Sequence, residues 1–141
     1  MVNHAINAIS KKLKIIEKIT LQASYGVGKV EATALSALGK NCVQLKSFEI
    51  ISMKSVHNIS FEPFAFKSIG TFLACESVLV QFEENVVTDL VDTLKRSLSL
   101  REVILWQRHK WIPKSEWIQM DNILKKIALQ FPHVQIRLEK R

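Results

Sequence analysis

The sequence predicts an α/β domain of about five helix–strand units, with the strands in one parallel sheet and the helices on one side. Three observations carry this. Apolar residues recur at three- to four-residue spacing, then switch to period two, and the pair of patterns repeats along the chain. The 141 residues are 48% hydrophobic, enough for one domain with a substantial core. Three prolines and four glycines are too few to punctuate the chain, so periodicity must organise it.

The first unit is INAISKKLKII, residues 6–16, in which Ile6, Ile9 and Ile16 mark one helical stripe. Ile19 and Leu21 follow at the alternate spacing of a half-buried strand. SYGVGK, residues 24–29, reads as a connecting loop; it lacks the GxGxxG and GxxxxGK[ST] patterns of nucleotide-binding turns. The second unit, LSALGKNCVQL at 35–45, repeats the frame through Leu35, Leu38 and Leu45 and is followed by Phe48 and Ile50. A degenerate third copy, FKSIGTFLACESV, starts at Phe66 and leads to Val80 and Phe82, with its helical part slipped against its strand.

The fourth unit is LVDTLKRSLSL, residues 90–100, with Leu90, Leu94 and Leu100, then Val103 and Leu105. Its helix starts at Glu84 and Asn85, where an acidic residue complements the helix dipole, and ends near Ser97. The last unit, LKKIALQFPHV at 124–134, places Leu124, Ile127 and Val134 in the frame, one residue early for Ile136 and Leu138. It belongs to a long helix, 116–130, entered after Pro113 with Ser115 as N-cap. Repeat starts near 6, 35, 66, 90 and 124 are irregularly spaced. Because each helix must carry the chain back, successive strands run parallel, and no unit covers its own apolar face alone.

The stretches LGKNCVQLKSFEI (38–50) and LVDTLKRSLSLREVIL (90–105) resemble the helix-to-strand junction of leucine-rich repeats of the cysteine-containing and ribonuclease-inhibitor-like kinds. Such repeats occur in F-box substrate receptors and nucleotide-binding innate-immune receptors. The resemblance implies a short solenoid over residues 1–141, a C-terminal cap at about 107–141, and a protein-recognition role without catalysis. It also implies that Cys42 is a small buried packing residue. The family's asparagine after the strand has no counterpart, since Ser24, Met53 and Arg108 stand there. A more general parallel α/β sheet, or a nematode-type F-box-associated domain, shares the same helix–strand grammar.

Outward-facing strand positions alternate with the apolar pairs and are mostly polar: Lys18, Thr20 and Gln22; Ser47 and Glu49; Gln81 and Glu83; Glu102. Ile51, Ile104 and Trp106 break that rule, and an apolar cluster on an open sheet face marks a protein interface. With Glu49, Glu102 and Arg108 they form the candidate partner-binding set. The opposing reading is that the loop at 107–116 folds over Trp106 and buries it.

The formal net charge of +7 lies at both ends: +3 over residues 1–22, +5 over 107–141 and −1 between. LWQRHKWIPKSEW, residues 105–117, interleaves Trp106, Trp111 and Trp117 with Arg108, His109, Lys110 and Lys114, a pattern that stacks on bases and neutralises phosphates. A basic nucleic-acid-binding domain is therefore the alternative function; the same stretch also reads as a structural loop and helix entrance. His4, His57, His109 and His133 are isolated, Cys42 and Cys75 lie 33 residues apart, and the adjacent Glu83 and Glu84 do not face one another. No catalytic, cofactor-binding or metal-binding residue is assigned. Unpaired cysteines point to a reducing compartment, cytoplasmic or nuclear, and no apolar run is long enough for a membrane span.

Overall fold

A computed structural model describes residues 2–23, 28–52, 59–108 and 112–141. In chain order it contains α1 (Val2–Lys12), β1 (Lys18–Ala23), β2 (Gly28–Val30), α2 (Ala32–Asn41), β3 (Ser47–Ser52) and β4 (Ile59–Phe61). A 3-10 helix (Phe66–Thr71), β5 (Ser77–Gln81), α3 (Glu84–Arg96), β6 (Glu102–Gln107), α4 (Lys114–Gln130) and β7 (Gln135–Lys140) complete it. The main sheet has five strands in the order β1-β3-β5-β6-β7, every neighbouring pair parallel.

Strand register aligns the units. Ile19, Phe48, Val78, Val103 and Ile136 form one row across the sheet. Leu21 pairs with Ile50, Val80 with Leu105, and Leu105 with Leu138, in the next inward row. The strand entrances are tied by the same device. The Glu17 carbonyl accepts the Lys46 and Ser47 N–H groups, Lys46 those of Glu76 and Ser77, and Glu76 those of Arg101 and Glu102, at 2.7–3.1 Å. The inward rows share one apolar cluster with every helix, through Ile6, Leu35, Phe66, Leu90 and Leu124. Burying aliphatic and aromatic side chains at about 1.5–3 kcal/mol each is the main stabilising term.

Three local expectations need correction. The third strand begins at Ser77, so its inward pair is Val78 and Val80 rather than Val80 and Phe82; Phe82 lies beyond the strand end, partly buried against the same core. Cys75 thereby occupies the place that Leu45 and Leu100 hold in their units, and all three are buried. The third crossover is a 3-10 helix rather than an α-helix. Phe66 and Ile69 are buried at the three-residue spacing this helix favours. A Cβ on Gly70 would lie 2.9 Å from the Thr93 carbonyl oxygen, so α3 packs directly on that glycine's backbone. Finally, Pro113 rather than Ser115 is the N-cap of α4, because the helix already begins at Lys114.

The loop expected at 24–29 lies partly outside the described residues, but its end, Gly28 and Lys29, belongs to β2. β2 pairs in parallel with β4 in a separate two-stranded sheet. Side chains close both its edges. Asn3 donates from Nδ2 to the Lys29 carbonyl (2.6 Å) and accepts the Glu31 N–H at Oδ1 (2.8 Å). On the β4 side, Glu83 Oε1 accepts the Phe61 N–H (2.8 Å) and Asn85 donates to the Phe61 carbonyl (2.9 Å). These groups stand where a third strand would pair, and they cover edges otherwise open to further pairing.

Two carboxylates are shielded from solvent: Glu83, half-buried at the β4 edge, and Asp89, buried on α3. Burial pushes the Glu83 carboxyl above its usual range, opposed by the Phe61 N–H. Burial does the same to Asp89, opposed by the N–H and charge of Lys67 and by the Phe66 N–H, while Asp92 adds to the rise. Asp89 is 3% exposed, and its Oδ2 has no hydrogen-bond partner among the described residues. A carboxyl whose pKa is higher folded than unfolded favours folding most when protonated. Its contribution declines as pH rises from the unfolded value, about 4, through the raised folded value. Asp89→Asn removes that dependence. Urea unfolding should show the wild type losing stability relative to the variant as pH rises above about 4; a pH-independent difference would contradict the assignment.

Candidate protein-interaction face

The outward side of the main sheet is built from the strand positions that alternate with the core rows. One outward row runs Thr20, Glu49, Leu79, Ile104, Arg137 from one sheet edge to the other. Its centre is apolar: Leu79 is buried and Ile104 half-buried. Ile51 is also half-buried, next on the outward side of β3 after Glu49.

Each flank of this centre carries an ion pair. Lys18 Nζ lies 3.0 Å from Glu49 Oε1, which also accepts the Thr20 hydroxyl at 3.0 Å. Arg137 Nη2 lies 3.4 Å from Glu102 Oε2, and Ser77 donates to Glu102 Oε1 at 3.4 Å. Both pairs reach from an edge strand to its inner neighbour. They are solvent-exposed on the basic side and contribute little stability, but they hold both carboxylates in defined positions beside the apolar centre.

Of the candidate set, Ile51, Ile104, Glu49 and Glu102 thus share the outward face. Trp106 does not offer an open anchor. It is 2% exposed, and its indole N–H donates to the Ile50 carbonyl at 2.8 Å. β5 separates β6 from β3, so this indole spans a whole strand. The bond is possible because β3 and β5 pair only as far as Glu49 and Leu79, and the Ile50 carbonyl lies beyond that point. Arg108 lies past the end of β6, half-buried, its N–H donated to Gln107 Oε1 at 3.1 Å. Gln107 in turn donates to the Phe82 carbonyl at 3.2 Å, so the ends of β5 and β6 are fastened by side chains.

Leu79 was missed in the sequence because the strand was read as starting at Val80, within the apolar run 78–80, which left Leu79 ahead of it. The one available signal was Cys75 three residues before Val78, matching Leu45 before Phe48 and Leu100 before Val103.

The basic ends do not converge. β1 and β7 are the opposite edges of the sheet, four strand spacings or about 19 Å apart. Within the aromatic–basic stretch, His109, Lys110 and Trp111 lie outside the described residues. Trp117 sits on α4 with Lys140 Nζ 5.2 Å from its ring centroid, a cation–π contact within one structural corner. That corner is a groove of about 260 Å³ lined by Lys114, Trp117, Ile118, Asp121, Leu138 and Lys140, with no nucleophile paired to a base.

Cys42 and Cys75 are free and buried. Cys42 caps α2 and its Sγ donates to the Leu13 carbonyl at 3.5 Å. Burial raises its thiol pKa and pushes that of Cys75 up to about 12, so neither thiol is activated as a nucleophile. Among the described residues no three His, Cys, Asp or Glu side chains are grouped to hold a metal ion, and no helix is long and apolar enough to cross a membrane. Compared with family models, curated proteins and solved structures, the chain has no match.

Proposed function

We propose that this chain is a non-catalytic protein-recognition domain: a short leucine-rich-repeat-like solenoid that presents the open face of its parallel sheet to a protein partner. The observation that carries the reading is the outward face, where the half-buried Ile51 and Ile104 lie over the buried Leu79 and between Glu49 and Arg137. An apolar centre with a charged rim is the anatomy of a specific interface. Strand order equal to chain order, with one register and one carbonyl ladder at each strand entrance, supports the repeat reading. In it residues 107–141 close the stack as a cap.

Ile104 and Ile51 are the apolar contacts of this face, Glu49 and Glu102 its polar contacts, and Arg108 a flanking charge. Trp106 acts beneath them, fixing the geometry of β3 against β6. Free buried thiols suit a reducing cytoplasmic or nuclear setting.

The test is affinity capture from nuclease-treated lysate with the wild type and an Ile51→Glu/Ile104→Glu variant. A protein retained by the wild type and lost by roughly tenfold or more in the variant, at an unchanged melting temperature, is the expected result. Recovery dominated by RNA or DNA, lost on nuclease treatment or modest salt, would replace this reading with nucleic-acid binding.

A further inference from the structure

The helix-to-strand turns form a second surface, at the strand entrances. The carbonyl ladder through Glu17, Lys46, Glu76 and Arg101 sets these turns side by side. Three residues before the ladder position, three successive turns carry Val43, Leu73 and Leu98. In the first turn Leu13 and Ile15 flank the equivalent Lys14. All five aliphatic side chains are exposed: Leu98 at 91%, Ile15 at 78%, Leu73 at 74%, Leu13 at 48% and Val43 at 44%. Single exposed aliphatics are ordinary; their recurrence at one position in adjacent turns makes a row.

The same edge is strongly basic. Residues 11–17, 40–46, 71–76 and 95–101 contain eight Lys and Arg against Glu17 and Glu76, a net charge of +6. Lys11, Lys12 and Lys14 lie at one end and Lys95, Arg96 and Arg101 at the other, all exposed, with Lys40 and Lys46 between them. Basic residues in the last turn of a helix complement its dipole, which accounts for several of these charges but not for the aliphatic row among them.

The turns are also fastened to each other. Cys42 Sγ donates to the Leu13 carbonyl, Ser99 Oγ to the Cys75 carbonyl at 2.7 Å, and Lys46 Nζ lies 3.7 Å from Glu17. The row is therefore preorganised, and docking it costs little ordering entropy.

We infer that this edge docks on an anionic lipid surface, the aliphatic tips entering the headgroup boundary and the surrounding Lys and Arg side chains meeting lipid phosphates and carboxylates. Apolar insertion together with attraction to anionic lipid is the physical basis of peripheral membrane binding. The row is aliphatic throughout, whereas single-stranded nucleic-acid sites place aromatic rings for base stacking. The docking edge is distinct from the sheet face, so a partner on that face and a membrane at the turns do not compete for the same residues.

Vesicle sedimentation of the purified full chain tests this, with phosphatidylcholine vesicles and with phosphatidylcholine–phosphatidylserine vesicles. The wild type is expected to sediment with the mixed vesicles only. Ile15→Ser/Leu73→Ser/Leu98→Ser and, separately, Lys12→Glu/Lys14→Glu/Arg96→Glu should each reduce binding by roughly tenfold or more. These side chains are exposed, so both variants should retain the wild-type melting temperature. Absence of binding to mixed vesicles, equal binding to both vesicle types, or full binding by the aliphatic variant would each overturn the inference. So would capture of a poly-glutamate peptide that displaces the vesicles and persists in the aliphatic variant, which would assign the edge to an acidic protein.

Discussion

Leu100→Asp should abolish cooperative folding. Leu100 is 1% exposed, sits at the entrance to β6 and belongs to the cluster shared by all the helices. Its N–H is donated to Ser97 Oγ at 3.1 Å, so the backbone there is held and cannot swing the new carboxylate into water without breaking the turn. An unpaired charge at this depth costs several kcal/mol or remains neutral at a similar expense, against a total domain stability of about 5–15 kcal/mol. Leu98→Asp, two residues away at 91% exposure, is the internal control and should change stability by no more than about 0.5 kcal/mol. Urea unfolding followed by circular dichroism distinguishes them. A cooperative transition in Leu100→Asp near the wild-type midpoint would contradict the repeat frame.

Trp106→Ala should destabilise the domain by about 3–5 kcal/mol, the cost of emptying a large buried aromatic site. The indole covers β5 and is the tie between β6 and the Ile50 carbonyl, so its loss opens the sheet where β3 and β5 have already stopped pairing. Trp106→Phe keeps part of the bulk but removes the N–H, leaving that carbonyl without its donor, and should cost less, roughly 1–3 kcal/mol. A partner-binding loss in Trp106→Ala would accompany this destabilisation rather than replace it. A variant that keeps wild-type stability while losing its partner would show instead that the indole is an accessible anchor.

These two residues also mark how far the sequence is legible. Four of the five main strands announce themselves as period-two pairs: Ile19 with Leu21, Phe48 with Ile50, Val103 with Leu105, and Ile136 with Leu138. Each pair lies inward in the structure. Burial on one face imposes this pattern, so it survives without any long-range information. The third strand was placed two residues late because Val78, Leu79 and Val80 form an unbroken apolar run; pairing with β3 and β6 sets its start at Ser77, and the spacing from Cys75 to Val78 was the one local sign of it.

The second sheet was not legible at all. β2 and β4 span three residues each, too short for a period to emerge, and their edges are completed by Asn3, Glu83 and Asn85 from distant elements. For the site, alternation alone places Glu49, Ile51, Glu102 and Ile104 outward. The burial of Trp106 depends on a bond to a residue 56 positions away, across a gap between strands that no local pattern encodes. The basic turn edge was hidden for a related reason. Read along the chain, the charge lies at the two ends; only the parallel register brings Lys12, Lys46 and Arg96 onto one edge.

The central claim is that a protein partner occupies the outward sheet face. Hydroxyl-radical footprinting of the complex captured by the wild-type domain tests it most directly, because side-chain oxidation reports contact without altering the fold. The account predicts that Ile51 and Ile104 lose reactivity on complex formation while Leu73 and Leu98, on the turn edge, keep theirs. Protection confined to Leu73 and Leu98, with Ile51 and Ile104 unchanged, would contradict it.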